Sequence, residues 1–411
     1  LKLPVQLSLY GIHQQDEQTW IPEAIVVEPD FLIDVTAIAS CFRGSGITIH
    51  GYLLKKYLPY RMSQPLLLGN IANYFLDELI RNPDVRFAEL LPGIFRLYPL
   101  ELALLTDVEV KELVGKSDLH FRHLKRVVET DFPRIQVYPE SCIIEPSFFA
   151  AEFGIQGRLD LLYRDPLDEQ RRVIIELKSG KVFNASIHGI NQDHLVQTLL
   201  YDLLIQAAYG KDQQAENYIL YSALPQRQLL RAPRSAAQQY DALQVRNRLI
   251  ALEFALANLG LDSCVDLLSQ GNGFFNKWST VQLTQLRGFD RDAVLAFEKA
   301  YQGMPDLVKK YFIAFSGFIA REQVLARKGL EGLDQARGQA ALWLNYPEDK
   351  EAAFMIFQFL RWLPEEETED SQTLVFERTE RTGKLANFRS GDIALLYPSD
   401  ESGNKIVASQ V

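Results

Sequence analysis

The chain has 411 residues, 47% of them hydrophobic and 23% charged, the balance of a soluble globular protein with a sizeable core and about two or three domains. The start lacks a basic segment followed by an apolar one, and no uncharged apolar run reaches membrane-spanning length, which argues against a signal peptide or an anchor and for a cytoplasmic or equivalent DNA-containing compartment. The net charge of −10 argues against a nucleic-acid partner until it is mapped, because Glu365, Glu366, Glu367, Glu369 and Asp370 supply five of those charges in one short run that reads as a solvated loop.

Residues 1–35 alternate apolar runs with polar breaks and read as two or three strands that pack on the core, followed by a helix from about residue 36. Residues 66–80 carry apolar positions at helical spacing and put Asn73, Asp77 and Ile80 on one face. Helical segments are expected over 99–130, and short strands over 135–137 and 142–145. Two β-branched and aliphatic runs, 158–163 and 172–177, flank 164–170, which is rich in turn formers, so the pair reads as a β-hairpin.

Residues 179–181 form a turn, and 192–209 read as a strongly amphipathic helix with Leu195, Val196, Leu199, Leu200, Leu203 and Leu204 as its apolar side. Gln197 and Tyr201, four apart, share a face of that helix, either as the edge of its leucine stripe or turned toward the hairpin to hold a nucleotide. A strand over 217–222 and a helix over 236–259 follow. Between 226 and 248 the chain carries Arg227, Arg231, Arg234, Arg246 and Arg248 against Asp241 alone, which is either a local basic patch for phosphates or a solvated helix face.

Residues 275–329 read as helices, and over 305–326 a stripe of Leu307, Tyr311, Phe315, Phe318 and Ile319 is taken as core. From 341 the runs 341–346, 373–380, 391–397 and 405–411 read as strands of a small β domain that is cut short at its C-terminal end. Residues 353–363 are too aromatic to assign. The expected division is therefore N-terminal strands over 1–35, a catalytic domain over 36–265, a helical region over 266–340 and the small β domain over 341–411.

The chemistry concentrates in 157–201. The hairpin sets Asp160 beside Glu176, and two close carboxylates repel unless a divalent cation offsets the cost. Oxygen ligands favour Mg²⁺ or Mn²⁺ over Zn²⁺. Strand alternation turns Glu176 and Lys178 to the same side, so an ammonium lies next to the pair and can orient or help deprotonate a water. That combination is suited to phosphodiester hydrolysis. Cys41, Cys142 and Cys264 lie far apart with no Cys-x-x-Cys spacing, which argues against a disulfide framework and against a sequence-local zinc site.

Gly157-x-x-Asp160, Glu176-x-Lys178 and Gln197-x-x-x-Tyr201 are similar to the ordered motifs of RecB-like nucleases in the PD-(D/E)XK superfamily. The stretches 153–160 and 176–181, the run from His194 to Gln197, and the Arg246-Asn247 pair resemble, more closely, the nuclease domain of the replication flap nuclease-helicases that process Okazaki fragments. Weaker echoes run from Tyr311-Phe312 to Glu322 and into Gly391-Asp392.

The resemblance implies an α/β PD-(D/E)XK core, a mixed sheet flanked by helices, followed by a helical region and a small β-barrel-like domain. It implies that Asp160, Glu176 and the Leu177 carbonyl ligate Mg²⁺ or Mn²⁺, that Lys178 positions the attacking water, and that Gln197 and Tyr201 support DNA and the site; Arg158, Arg227, Arg231, Arg234 and Arg246 are the further candidates for contacting DNA. The family's upstream histidine position is filled by Asn73, a weak carbonyl donor to metal. Only Cys41 and Cys264 lie near the family's cluster cysteines, so no iron–sulfur cluster is expected. The chain contains no Gly-x-x-x-x-Gly-Lys-Ser/Thr loop, so a helicase motor, if present, lies beyond Val411. The activity expected is metal-dependent cleavage of single-stranded or flapped DNA in replication or repair. The alternatives are a catalytically weak DNA-binding module that retains the fold and an enzyme that cuts duplex DNA.

Overall fold

The computed structural model describes residues 5–43, 46–47, 49, 52, 55–56, 62–182, 188–210, 215–258, 289–329, 338–340, 345–363, 374–392, 394 and 396. Its centre is a mixed five-stranded sheet. The strands used below are β1 (Leu7–Tyr10), β2 (Ala24–Val27), β3 (Ile33–Asp34), β4 (Cys142–Ile144), β5 (Ser147–Ala150), β6 (Ile155–Arg158), β7 (Leu161–Arg164), β8 (Arg172–Lys178), β9 (Ala215–Tyr221) and β10 (Leu229–Ala232). The central sheet has the order β10-β9-β8-β7-β4, parallel only between β8 and β9.

Alternation along β8 decides what lies on each side of that sheet. Val173, Ile175 and Leu177 pack against α1 (Gln64–Arg81) and α2 (Asp107–Arg126). Ile174 points the other way, into a core built with α3 (Gln192–Tyr209), α4 (Ala236–Asn258) and the N-terminal strands. Glu176 and Lys178 share the parity of Ile174 and so emerge on the α3 side.

The helix over 192–209 has the bounds read from sequence, but it is not amphipathic. Every residue from Leu195 to Ile205 is buried, including Gln197, Thr198, Tyr201 and Asp202. A helix apolar almost all round belongs between layers rather than on a surface, and α3 lies between the central sheet and α4 and the N-terminal strands.

The first arm of the expected hairpin is broken. β6 belongs to a three-stranded sheet of order β3-β6-β5, and the chain crosses at Leu159-Asp160 into β7 of the central sheet. Gly157 permits the crossing to sit tight, because a Cβ there would lie 3.0 Å from the Tyr201 ring and 3.3 Å from Val35. Residues 135–137 do not form the expected strand; Gln136 takes a positive φ of 55° after the turn Phe132–Arg134. A helix over Phe87–Leu97 was hidden by its internal Pro92 and Gly93.

The helix expected over 305–326 is α5 (Asp306–Lys328), which packs on α4, yet its aromatic stripe is not core. Ile313, Gly317 and Ala320 are the buried positions, whereas Leu307 is 80% exposed and Tyr311 66%, with Phe315, Phe318 and Ile319 also exposed. The helix is apolar on both sides, and the smaller side chains allow the closer approach to α4. Its C-terminal end is fixed to the N-terminal lobe: Arg327 donates to the Leu32 carbonyl at 2.8 Å and stacks over Phe31, and Lys328 pairs with Glu28.

Beyond residue 341 the described residues contain a short helix, Pro347–Ala352, and an antiparallel ribbon, β11 (Leu360–Trp362) with β12 (Phe376–Arg378). The ribbon places one strand inside the unassigned 353–363. Asn345 and Tyr346 are not in a strand, nor are the described residues of 391–397. The expected strand over 405–411, the acidic run 365–370 and Cys264 lie outside the described residues. No helix among the described residues is long and apolar enough to cross a membrane.

Candidate active site

β7 and β8 pair antiparallel with Leu161 opposite Ile175, and extending that register by one residue puts Asp160 opposite Glu176. Asp160 lies just before β7, where the ladder has ended, so its carboxylate rather than a backbone carbonyl receives the Leu177 N–H, at 2.7 Å to Oδ2. The N–H and C=O of one strand residue project to the same edge, which directs the Leu177 carbonyl to the Asp160 side.

A chain of hydrogen bonds fixes the rest. Lys178 Nζ donates to Glu176 Oε1 at 2.8 Å and to Gln197 Oε1 at 2.9 Å. Gln197 Nε2 donates to Glu176 Oε1 and to the Tyr201 hydroxyl, each at 2.7 Å, and that hydroxyl donates to the Arg158 carbonyl at 2.8 Å. The acceptor and donor ends of Gln197 are thereby assigned by its neighbours. Glu176 is 3% exposed and its second oxygen, Oε2, has no hydrogen-bond partner among the described residues.

An orphaned, buried carboxylate oxygen facing a second carboxylate is a costly arrangement without a cation. The electrostatics agree. Burial and the charge of Glu176 raise the Asp160 carboxyl well above the usual carboxylate range, against the pull of Lys178 and of the Leu177 N–H. For Lys178 burial alone acts downward, but Glu176 and Asp160 outweigh it and hold the ammonium above its ordinary value. Lys178 is thus held as a cation beside the two carboxylates. These residues fit a hard divalent cation, with Asp160, Glu176 and the Leu177 carbonyl as the oxygen donors.

α1 reaches the same place. A Cβ on Gly69 would lie 3.1 Å from the hydroxyl of Ser179, the residue after Lys178. Two turns later, on the same face, Asp77 is pushed up to about 7 by burial and by Glu145. Asn73 sits between them on that helix face, partly exposed.

Glu145 is a residue that sequence reading passed over as a strand end. Its N–H donates to the Asp160 carbonyl at 3.1 Å, it holds a positive φ of 48°, and its carboxylate pairs with Arg158 at 3.0 Å. The only available signal was Glu145-Pro146, a pair that stops a strand. On the far side, His120 Nδ1 lies 2.8 Å from Ser222 Oγ and His123 Nδ1 lies 2.7 Å from the Ser222 carbonyl, while the Ser222 N–H donates to the Lys178 carbonyl at 3.0 Å. This ties α2 to the backbone of Lys178.

The arginine patch is divided, and part of its reading needs correction. Arg246 is fully buried and donates to the carbonyls of Gly154 at 3.0 Å, Glu28 and Phe31 at 2.7 Å each, and Val27. Gly154, at a φ of +61°, leaves room for the guanidinium where a Cβ would collide with it. Arg246 thus clamps the N-terminal segment onto α4 and has no surface to offer a phosphate. Arg234 is held by Asp202 and the Ala215 carbonyl, Arg231 lies 3.8 Å from Glu216, and Arg227 is exposed at the β9–β10 turn. Gln197 and Tyr201 are likewise corrected from nucleotide contacts: both are buried, and their polar atoms are engaged by Glu176, Lys178, the Arg158 carbonyl and each other. Cys41 is buried and Cys142 half-buried, each with its thiol directed at a carbonyl one turn back.

Comparison with known proteins agrees with this geometry. Residues 59–258 match the PD-(D/E)XK nuclease superfamily. The chain is also 24% identical over 207 residues to the DNA replication ATP-dependent helicase/nuclease dna2 of Schizosaccharomyces pombe. The aligned stretch makes up 45% of this chain and 14% of that protein. The matched span holds Asp160, Glu176, Lys178, Gln197 and Tyr201 together with α1 and α4, and the chain thus contains a PD-(D/E)XK nuclease superfamily domain over residues 59–258.

Proposed function

We propose that the chain is a Mg²⁺- or Mn²⁺-dependent deoxyribonuclease that hydrolyses phosphodiester bonds of single-stranded or flapped DNA, as the N-terminal part of a nuclease-helicase of replication or repair. The observation that carries the reading is the convergence of Asp160, Glu176 and the cationic Lys178, with Glu176 Oε2 buried and without a hydrogen-bond partner among the described residues. A binding module has no physical need for that arrangement. The helicase context rests on the likeness to the Schizosaccharomyces pombe helicase/nuclease.

Asp160, Glu176 and the Leu177 carbonyl would hold the cation. When bound there, a divalent ion supplies positive charge that lowers the pKa of an attacking water and neutralises charge gathering on the phosphate. Lys178, fixed by Glu176 and Gln197, orients that water and adds its own charge beside the phosphate. Gln197 acts through Lys178 and Glu176, and Tyr201 acts through Gln197 and the Arg158 backbone. Arg158, with its side chain 63% exposed and paired to Glu145, is a cation beside the site that can turn outward to a phosphate. Arg227, Arg231 and Arg248 are the exposed members of the arginine group that remain for the DNA backbone.

Labelled single-stranded, flapped and duplex DNA of one sequence, incubated with the protein in Mg²⁺, Mn²⁺ or chelator, tests the reading. Cleavage of single strands and flaps that disappears in chelator is expected. Preferential cutting of blunt duplex would replace the proposed substrate, and no cutting of any DNA in either metal would remove the enzymatic reading.

A further inference from the structure

Beside Lys178 lies an imidazole that the proposed chemistry does not yet use. His194 stands in the first turn of α3, three residues before Gln197 and seven before Tyr201, so the three side chains share one helix face. Tyr221 is the register partner of Lys178 in the β8–β9 ladder, and the two side chains emerge on the sheet face that α3 covers. The Tyr221 hydroxyl accepts the Asn191 N–H at 3.2 Å and lies 2.8 Å from His194 Nδ1.

That pair of contacts favours one tautomer. A buried phenol has one proton to give, and Nδ1 is its acceptor among the described residues. With Nδ1 accepting, the ring proton sits on Nε2. Burial and the Lys178 charge hold the imidazolium form down to about 4, against the opposing pull of Asp193, so the ring is neutral at physiological pH. The 3.8 Å approach of Nε2 to Asp193 Oδ1 is accordingly neither an ion pair nor a hydrogen bond. That carboxylate accepts the backbone N–H of His194 instead, at 3.0 Å. Nε2–H is left without a hydrogen-bond partner among the described residues, on a side chain that keeps 19% of its surface open.

We infer that His194 is a substrate-binding residue of this site, its Nε2–H donating to a non-bridging phosphate oxygen of the DNA strand that Lys178 also faces, with Tyr221 as the positioning residue that sets the tautomer. The inference rests on the nuclease reading for the identity of the phosphate. A neutral donor suits the position, since it adds a hydrogen bond to an anion without placing a second cation against Lys178.

Two measurements test this on the full chain. In protein labelled with ¹⁵N at its six histidines, with the His194 signals assigned by their loss in His194→Gln, Nδ1 is expected to be unprotonated and Nε2 protonated at neutral pH. Adding oligothymidylate with Ca²⁺ in place of Mg²⁺ should shift the Nε2 signal; a protonated Nδ1, or an Nε2 signal unmoved by saturating DNA, overturns the inference. This readout needs no catalysis, so it stands apart from failure of the nuclease reading, which inactive parent protein would reveal. In cleavage assays, His194→Ala should lower kcat/KM on the order of 10- to 100-fold. His194→Gln, which keeps an N–H donor at similar reach, should recover most of that loss, and Tyr221→Phe should fall between them. Gln as defective as Ala, or Ala equal to the parent, would mean that the ring only packs.

Discussion

Asp160→Asn should make the metal-free protein more stable while abolishing its function. Two like charges at contact range in a protein environment repel by about 4 kcal/mol, and Lys178, in contact with Glu176 Oε1 at 2.8 Å, offsets much but not all of it. The amide keeps an oxygen to accept the Leu177 N–H, so the one direct hydrogen bond of Asp160 Oδ2 survives. Relief of the remaining repulsion should be worth about 1–2 kcal/mol, the usual gain when a charge arranged for function is neutralised. For a domain of this size that is about 2–8 °C in Tm.

The pH sign follows from the same carboxyl. Its native pKa is raised, chiefly by burial and Glu176, so the native state holds this proton longer than the unfolded chain. Its contribution is most favourable at acid pH and declines as pH rises from the unfolded carboxylate value to the raised native one. The advantage of the asparagine variant should therefore grow across that window and then level off. Thermal unfolding in chelator and in saturating Mn²⁺ reads both effects, because the parent should gain about 2.7 kcal/mol at a metal concentration 100 times its Kd and the variant far less. A variant that melts below the parent in chelator, or equal stabilisation of both proteins by Mn²⁺, would refute the reasoning.

Arg246→Met should cost at least about 3 kcal/mol, since it orphans buried carbonyls of Gly154, Glu28 and Phe31; urea unfolding measures it, and loss of DNA affinity with unchanged stability would contradict the clamp. Tyr201→Phe removes the bonds to Gln197 and to the Arg158 carbonyl and should cost about 1–3 kcal/mol by the same method. His120 is depressed to about 4 by burial and then by His123, so it is neutral in the folded state and must charge on acid unfolding. Its contribution is present above its unfolded value of about 6.5 and lost as pH falls toward 4, on the order of 3 kcal/mol. His120→Gln should flatten that acid limb, and an unchanged limb would show that another group governs it.

The juxtaposition of the candidate residues was legible because the information that places them is local. Strand alternation set Glu176 and Lys178 on one side, and the turn formers after Arg164 paired β7 with β8, so that Asp160 faced Glu176 without knowledge of the rest of the fold. Helical spacing likewise gave the shared face of Gln197 and Tyr201. What failed depended on distant neighbours. Nothing near Leu159 signals that the chain changes sheets there. Arg246 looked like a surface cation because its acceptors are carbonyls more than 90 residues away. The leucines of α3 resembled one side of an amphipathic helix, yet its polar residues are buried as well, against Glu176, Lys178 and Asn217. In α5, size misled: the large aromatic residues took the name of core, whereas Ile313, Gly317 and Ala320 permit the close approach to α4.

The account stands on Asp160, Glu176 and Lys178 acting together on a DNA phosphate. The most direct measurement is cleavage of labelled single-stranded DNA in Mn²⁺ by the parent, Asp160→Ala and Lys178→Ala, each first shown to be folded. The account predicts that the parent cuts, that chelator stops it, and that both variants lose activity by several orders of magnitude. Equal cutting by parent and variants would contradict it.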